Sequence, residues 1–275
     1  MKNFRTFLIV FFIPVLFVFG WGDKGHKLIA KKALLILQSE IKFSDETRDA
    51  IILHSVDPDY RKKQDPTEPK KHFIDIDYYK EFLNGNMIES KDSLVKIYGD
   101  SIVTDQGTLP WATEDTYAKL VNAFKEKNKE KIILFASDLA HYVGDGHQPL
   151  HASINYNGQL SGQKGIHFRY EIEMIDRYLP ELDSMNINAK PVYVKNLLSR
   201  IFDYITESNV NMDLILSSDK FALAHGNNKY EDDYYKLLWF RTKYVTENEI
   251  SEGASMLASM IYSAWIDAGK PEINI

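Results

Sequence analysis

Histidines and carboxylates recur at metal-ligand spacing in this 275-residue chain, and it contains no cysteine. Without a thiolate there is no disulfide, no iron–sulfur cluster and no cysteine nucleophile, so any metal must be held by imidazole, carboxylate or backbone donors. His141 and Asp145 stand four residues apart in a segment that is apolar nearly all round from Ile132 to Val143. That spacing puts both side chains on one face of a buried helix. The pair supports two readings equally, a shared metal ion or a hydrogen bond inside a helical core, because either relieves the cost of burying the two groups unpaired. His151 follows six residues after Asp145, beyond Gly144, Gly146 and Pro149, which turn the chain and free His151 from the helix face. His167 and Glu171 repeat the four-residue spacing after a glycine-rich loop, His72 follows the acidic segment Val56-Asp-Pro-Asp-Tyr60, and His26 lies near the start. Two such pairs with a linking histidine are stronger evidence for metal than either pair alone.

The elements that must position these residues read as helices. Tyr117, Leu120, Val121 and Phe124 form one buried stripe opposite Lys119, Lys125 and Lys127, and further stripes run over Leu28–Leu37, Val194–Ile205 and Met256–Trp265. Stretches rich in Gly, Asn, Asp and Pro, residues 57–70, 155–165 and 226–228, read as loops. No alternating pattern with hairpin turns appears, which predicts one all-α domain over residues 21–275. The composition, 44% hydrophobic and 26% charged, is that of a globular chain and excludes disorder. A net charge of −6 argues against an extended basic groove for duplex nucleic acid, but not against a phosphate site centred on metal.

Residues 1–20 have the order of a cleaved signal peptide: Lys2 and Arg5, an apolar run from Phe7 to Phe19, then Gly20. Thirteen residues span only ~20 Å as a helix, too short for the ~30 Å hydrocarbon core, so no stable membrane span is expected after processing. Cleavage after Gly20 predicts a secreted or periplasmic protein that begins at Trp21, with 31 basic against 39 acidic side chains. The freed amine and carbonyl of Trp21 would then be able to chelate a metal.

The segments Trp21-Gly-Asp-Lys-Gly-His26, His72-Phe-Ile-Asp75, His141 to His151 and Gly165-Ile-His-Phe-Arg-Tyr-Glu171 resemble the superfamily that joins bacterial zinc-dependent phospholipase C to the single-strand-specific zinc nucleases. The resemblance implies a secreted all-α enzyme with three zinc ions. It places the first ion on Asp57, His72, His141 and Asp145, and a second, bridged by Asp145, on Trp21 and His26. The third falls to His151, His167 and Glu171. Asp57 and Asp59 compete for one ligand position, and Asp57 is favoured because its fifteen-residue distance to His72 suits the family better. Three histidines, His54, His147 and His225, are left without a ligand role, and His147 reads as structural or supporting.

The implied reaction is hydrolysis of phosphoric ester bonds. A hydroxide bridging two zinc ions at Asp145 would attack phosphorus, with Asp57 or Asp59 as base and the third ion neutralising the phosphoryl oxygens. Glu171 and the segment around it look like the phospholipase C branch, whereas the short interval from Trp21 to His26 and the pair His72-Phe73 look like the nuclease branch. A phospholipid or other small phosphodiester is therefore favoured slightly over single-stranded DNA or RNA, the alternative being a secreted single-strand endonuclease with 3′-nucleotidase action. Phe73 is a candidate base-stacking or core residue. A secreted zinc-binding protein without catalysis is the competing class, and the expected state is monomeric.

Overall fold

A computed structural model describes residues 21–273; the expected signal peptide lies outside them. Among the described residues thirteen α-helices follow one another: α1 Gly22–Leu37, α2 Asp45–His54, α3 Asp57–Arg61, α4 Lys80–Leu83, α5 Lys91–Tyr98, α6 Asp100–Asp105, α7 Leu109–Glu126, α8 Lys129–Gly146, α9 Ile166–Phe168, α10 Ile175–Ser184, α11 Leu197–Val210, α12 Met212–His225 and α13 Asp232–Asp267. One wider π-type turn, Arg169–Met174, joins α9 to α10. No β-strand occurs among the described residues, so the fold is all-α as the periodicity predicts.

The central element is α8, whose residues Ala136 to Gly146 are all buried. It is packed by α7, α2, α13 and α1, and one continuous hydrophobic core runs from Trp21 through Ile29, Leu120, Leu139 and Leu238 to Ala264. Capping sets the helix starts: the Ser44 side chain accepts from the Thr47 N–H, and Asn128 from the Lys131 N–H, each satisfying a first-turn donor that the helix leaves open.

Three elements differ from the expectation. Residues 57–70 are a loop only over 62–67: the segment opens with α3 and closes in a 3₁₀ turn over Glu68–Lys71, with Pro58 in the first turn of α3, where its missing N–H costs nothing. Val194 to Asn196 are not helical, because the N–H groups of Val192 and Val194 donate to the Ser259 and Ser263 hydroxyls of α13 instead of to a helical ladder. The stripe at Met256–Trp265 is only the end of the 36-residue α13. The first half of α13 shows no clean apolar stripe because Thr242, Thr246 and Glu249 are buried among its hydrophobic residues.

Candidate metal centre

Each ligand candidate is delivered by a different packing decision. On α1 the buried face Leu28, Ile29, Ala33, Leu37 carries His26 inward, and His26 is fully buried. Gly144 of α8 makes the approach possible, since a Cβ there would lie 2.8 Å from His26 Nδ1. The His26 and His141 rings then stack at 3.9 Å, 17° from parallel. Trp21 begins α1 in a left-handed conformation (φ 32°), is fully buried, and donates from its indole N–H to the Gly144 carbonyl at 2.8 Å. It thus sits against the same turn of α8 that faces His26.

Around Asp145 the donors converge. Its Oδ2 lies 3.0 Å from His72 Nδ1 and 3.3 Å from His141 Nε2, while its Oδ1 lies 3.5 Å from His26 Nε2. One carboxylate therefore faces two sets of nitrogens, one with each oxygen, and its Oδ1 also lies 3.3 Å from His151 Nδ1 of the third group. Asp59 completes the first set, with its Oδ1 3.5 Å from His72 Nδ1 and 3.6 Å from His141 Nε2.

Asp59, not Asp57, is the carboxylate in the centre. Two residues of a helix point some 200° apart, so α3 can send only one of them inward. Asp59 is buried, whereas Asp57 is half exposed and pairs with His54 Nδ1 at 2.8 Å. The fifteen-residue spacing to His72 that favours Asp57 carries no information on which side of α3 faces the centre.

A third group lies on one short stretch. His151 and His167 bring their Nε2 atoms to 3.0 Å, and Glu171 Oε2 lies 2.7 Å from His167 Nε2 and 3.5 Å from His151 Nε2. His151 comes from a 3₁₀ turn, Pro149–Ala152; His167 comes from α9 and Glu171 from the π turn after it.

The surroundings aim the ring nitrogens. His141 donates from Nδ1 to the Ser55 carbonyl at 2.8 Å, and His151 from Nδ1 to the His72 carbonyl at 2.6 Å, which leaves both Nε2 lone pairs facing the centre. His72 is turned the other way. Its Nδ1 faces Asp145, and its Nε2 lies 3.5 Å from Glu68 Oε1, a buried carboxylate that Tyr142, Lys71 and Arg61 also hold. Glu68 had no sequence signal beyond standing four residues before His72.

Electrostatics fit a cation site. Burial pushes His26 down to about 4, and burial with the Lys62 charge pushes His167 to about 3, so both are neutral donors. Burial also opposes charge on His141, but Asp145 and Asp59 outweigh it and hold that imidazole up at about 10, so its Nε2 carries a proton in the place a bound cation would take. Asp145 is held well below the carboxylate range: burial works against its charge, and His141 and His151 prevail. Burial raises Glu171 to about 8.

Of the thirteen buried side-chain atoms that lack a hydrogen bond among the described residues, eight belong to this centre's residues: both nitrogens of His26, both oxygens of Asp59 and of Asp145, His72 Nε2 and His167 Nδ1. Buried donors and acceptors are normally satisfied, so the five of these atoms that face one another, His26 Nε2 and the oxygens of Asp59 and Asp145, are what ion ligands look like before the ion is counted. Three groups have the required compactness: His26, His141 and Asp145; Asp59, His72 and His141; His151, His167 and Glu171. The donor chemistry, imidazole and carboxylate without sulfur, fits zinc.

Two other residues take clear places. The Lys62 ammonium, with its side chain nearly buried, lies 2.7 Å from Asp59 Oδ1, a fixed positive charge that the sequence reading missed. Phe73 is half-buried, its ring against Gly107 and 5.8 Å from Lys70 Nζ. Outside the ligand groups, His147 stacks on Tyr204 at 4.3 Å and donates to the Val143 carbonyl, and His54 and His225 are exposed.

A family model described as zinc dependent phospholipase C matches residues 25–264. No curated protein matches the chain significantly.

Proposed function

The chain belongs to the zinc-dependent phospholipase C family, and from that premise we propose that it is an exported phosphodiesterase of phospholipase C type, acting on a phospholipid or a similar small phosphodiester. The observation that carries the reading is the split allegiance of Asp145, one oxygen toward His72 and His141 and the other toward His26, with a separate three-ligand group nearby. Structural zinc sites close with four protein ligands, whereas His151, His167 and Glu171 are three and leave a position for substrate or water. That favours catalysis over mere zinc storage.

Zinc ions, when bound, supply Lewis acidity toward phosphoryl oxygens and bring the pKa of water to ~7, so a nucleophile forms at neutral pH. The chain's own residues do the rest. His72, His141, Asp59 and Asp145 would hold one ion; His26 and Asp145, joined by the amine and carbonyl of Trp21 once the chain is cut at Gly20, a second; His151, His167 and Glu171 a third. Asp59, unlike Asp57, is close enough to orient the attacking water and accept its proton. Lys62 places a positive charge beside that carboxylate, where the phosphoryl group of a bound ester gains from it. Glu68 fixes the His72 ring so that Nδ1 stays toward the centre.

Phospholipid is favoured over single-stranded nucleic acid by the family match and by Glu171 as the closing ligand of the third group. No helix among the described residues is long and apolar enough to cross a membrane, and the signal-like residues 1–20 support export. The test is metal analysis and N-terminal sequencing of the exported protein, followed by turnover of a phosphorylcholine ester beside single-stranded DNA. Three zinc ions, Trp21 at the N-terminus and chelator-sensitive ester hydrolysis are expected. Faster cleavage of DNA would move the enzyme to the nuclease reading, and a zinc content near zero would overturn both.

A further inference from the structure

The third metal group has no long helix of its own, and what stands behind it is a buried ionic network from the C-terminal half of the chain. Arg169 lies between His167 and Glu171 in sequence, but its side chain points away from them and is almost fully buried. Its guanidinium donates through Nη2 to Asp219 Oδ1 at 2.9 Å and to the Gln163 carbonyl at 3.2 Å, through Nη1 to the Lys164 carbonyl at 3.1 Å, and through Nε to the Tyr234 hydroxyl at 3.1 Å. Asp219, on α12 and 1% exposed, also accepts from the Tyr234 hydroxyl at 2.5 Å and, through Oδ2, from Gln163 Nε2 at 2.7 Å. The two carbonyls that Arg169 grips immediately precede Gly165, the left-handed residue (φ 94°) at which α9 starts. A Cβ at Gly165 would lie 2.9 Å from the guanidinium, so the grip and the turn require each other.

We propose that Asp219, acting through Arg169, is a positioning residue for the third metal group: α12 and α13, which supply no ligand, set the direction from which His167 and Glu171 meet His151. The inference rests on the reading that His151, His167 and Glu171 hold a metal ion. A buried guanidinium needs its counter-charge. With Asp219 gone, Arg169 gains more from water than from two carbonyls, the start of α9 is released, and a π turn, a rare form frequent at functional sites, loses the contact that fixes its N-terminal end. The first two groups do not depend on this network, because their ligands sit on α1, α3 and α8 and in the segment just before Phe73.

The experiment is stepwise zinc titration of the processed full chain against a competing chelator, with His151→Ala marking which step belongs to the third group. In Asp219→Asn, which keeps the shape and removes the charge, that step weakens about tenfold or more, within the range outer-shell changes produce, while the other two steps stay where they are. Cobalt substitution shows the same asymmetry as a changed visible spectrum for one ion of three. Tyr234→Phe, which removes one hydroxyl, moves the same step in the same direction by less, and it decides the matter if Asp219→Asn does not fold. An unchanged third step in these variants, or an equal loss at all three steps with a lowered Tm, overturns the positioning role. If His151→Ala removes no zinc, the metal reading of this group fails, and the inference with it.

Discussion

The two halves of the metal centre are built in opposite ways. Around Asp145 the ligands come from sequence positions between 26 and 145, and they meet because α1, α3 and α8 are packed in one core with Gly144 allowing His26 against α8. The group at His151, His167 and Glu171 comes from one stretch of about twenty residues and depends on local turns, a 3₁₀ turn and a π turn, braced from outside. A site made by helix packing inherits the rigidity of the core. A site made by turns must be held by contacts that have no other reason to exist, and the Arg169–Asp219 pair is such a contact.

The sharpest break between the halves is expected from Asp145→Ala. It removes the one carboxylate that faces both sets of nitrogens, so the zinc count should fall from three to one and activity by about 10³-fold or more, as when the ligand that shapes a metal nucleophile is lost. Glu171→Ala should instead remove a single ion and leave two. Metal analysis on both variants checks this, and equal losses would mean that the halves are not independent.

Next in size is the contrast between neighbouring aspartates. Asp59→Ala should lower kcat/KM by about 10²-fold or more, since a buried ligand and proton acceptor is lost, whereas the surface change Asp57→Ala should stay within about threefold. The reverse order in a kinetic comparison would restore the spacing argument that favoured Asp57.

Glu68→Gln should weaken zinc at the first group by about tenfold with little change at the third, because it loosens the ring of His72 without removing a ligand. The check is the same chelator competition, read step by step.

The smallest effect falls outside the centre. Burial raises the Glu249 carboxyl to about 8, while Asn211 still donates to its Oε1 at 2.7 Å. Its folded-state value is above its unfolded one, so the uncharged acid is tolerated at low pH and stability is lost as pH rises from the unfolded value, ~4.3, through about 8. Glu249→Gln should flatten that slope and raise the Tm at pH 8 while leaving zinc content unchanged. A variant no more stable than the parent at pH 8 would show that Glu249 is ionised in the fold.

Much of the centre is legible in the chain because helical spacing is a physical constraint: four residues put His141 beside Asp145, and His167 beside Glu171, whatever else the protein does. The buried stripes of α7 and α8 are legible for the same reason. What failed was the start of the segment from 57 to 70, where Asp and Pro read as loop although a short helix can begin on them, and α13, where buried threonines and a glutamate hide the apolar face.

By itself the sequence determined the donor set, since a chain without cysteine leaves only imidazole, carboxylate and backbone for a metal, and it determined the pairs that share a helix turn. Tertiary structure alone decided which aspartate turns inward, that Glu68 and Lys62 stand beside the ligands, and that Asp219 braces a group fifty residues away. Such choices depend on how helices rotate and pack against one another, and a spacing along the chain carries no record of that rotation.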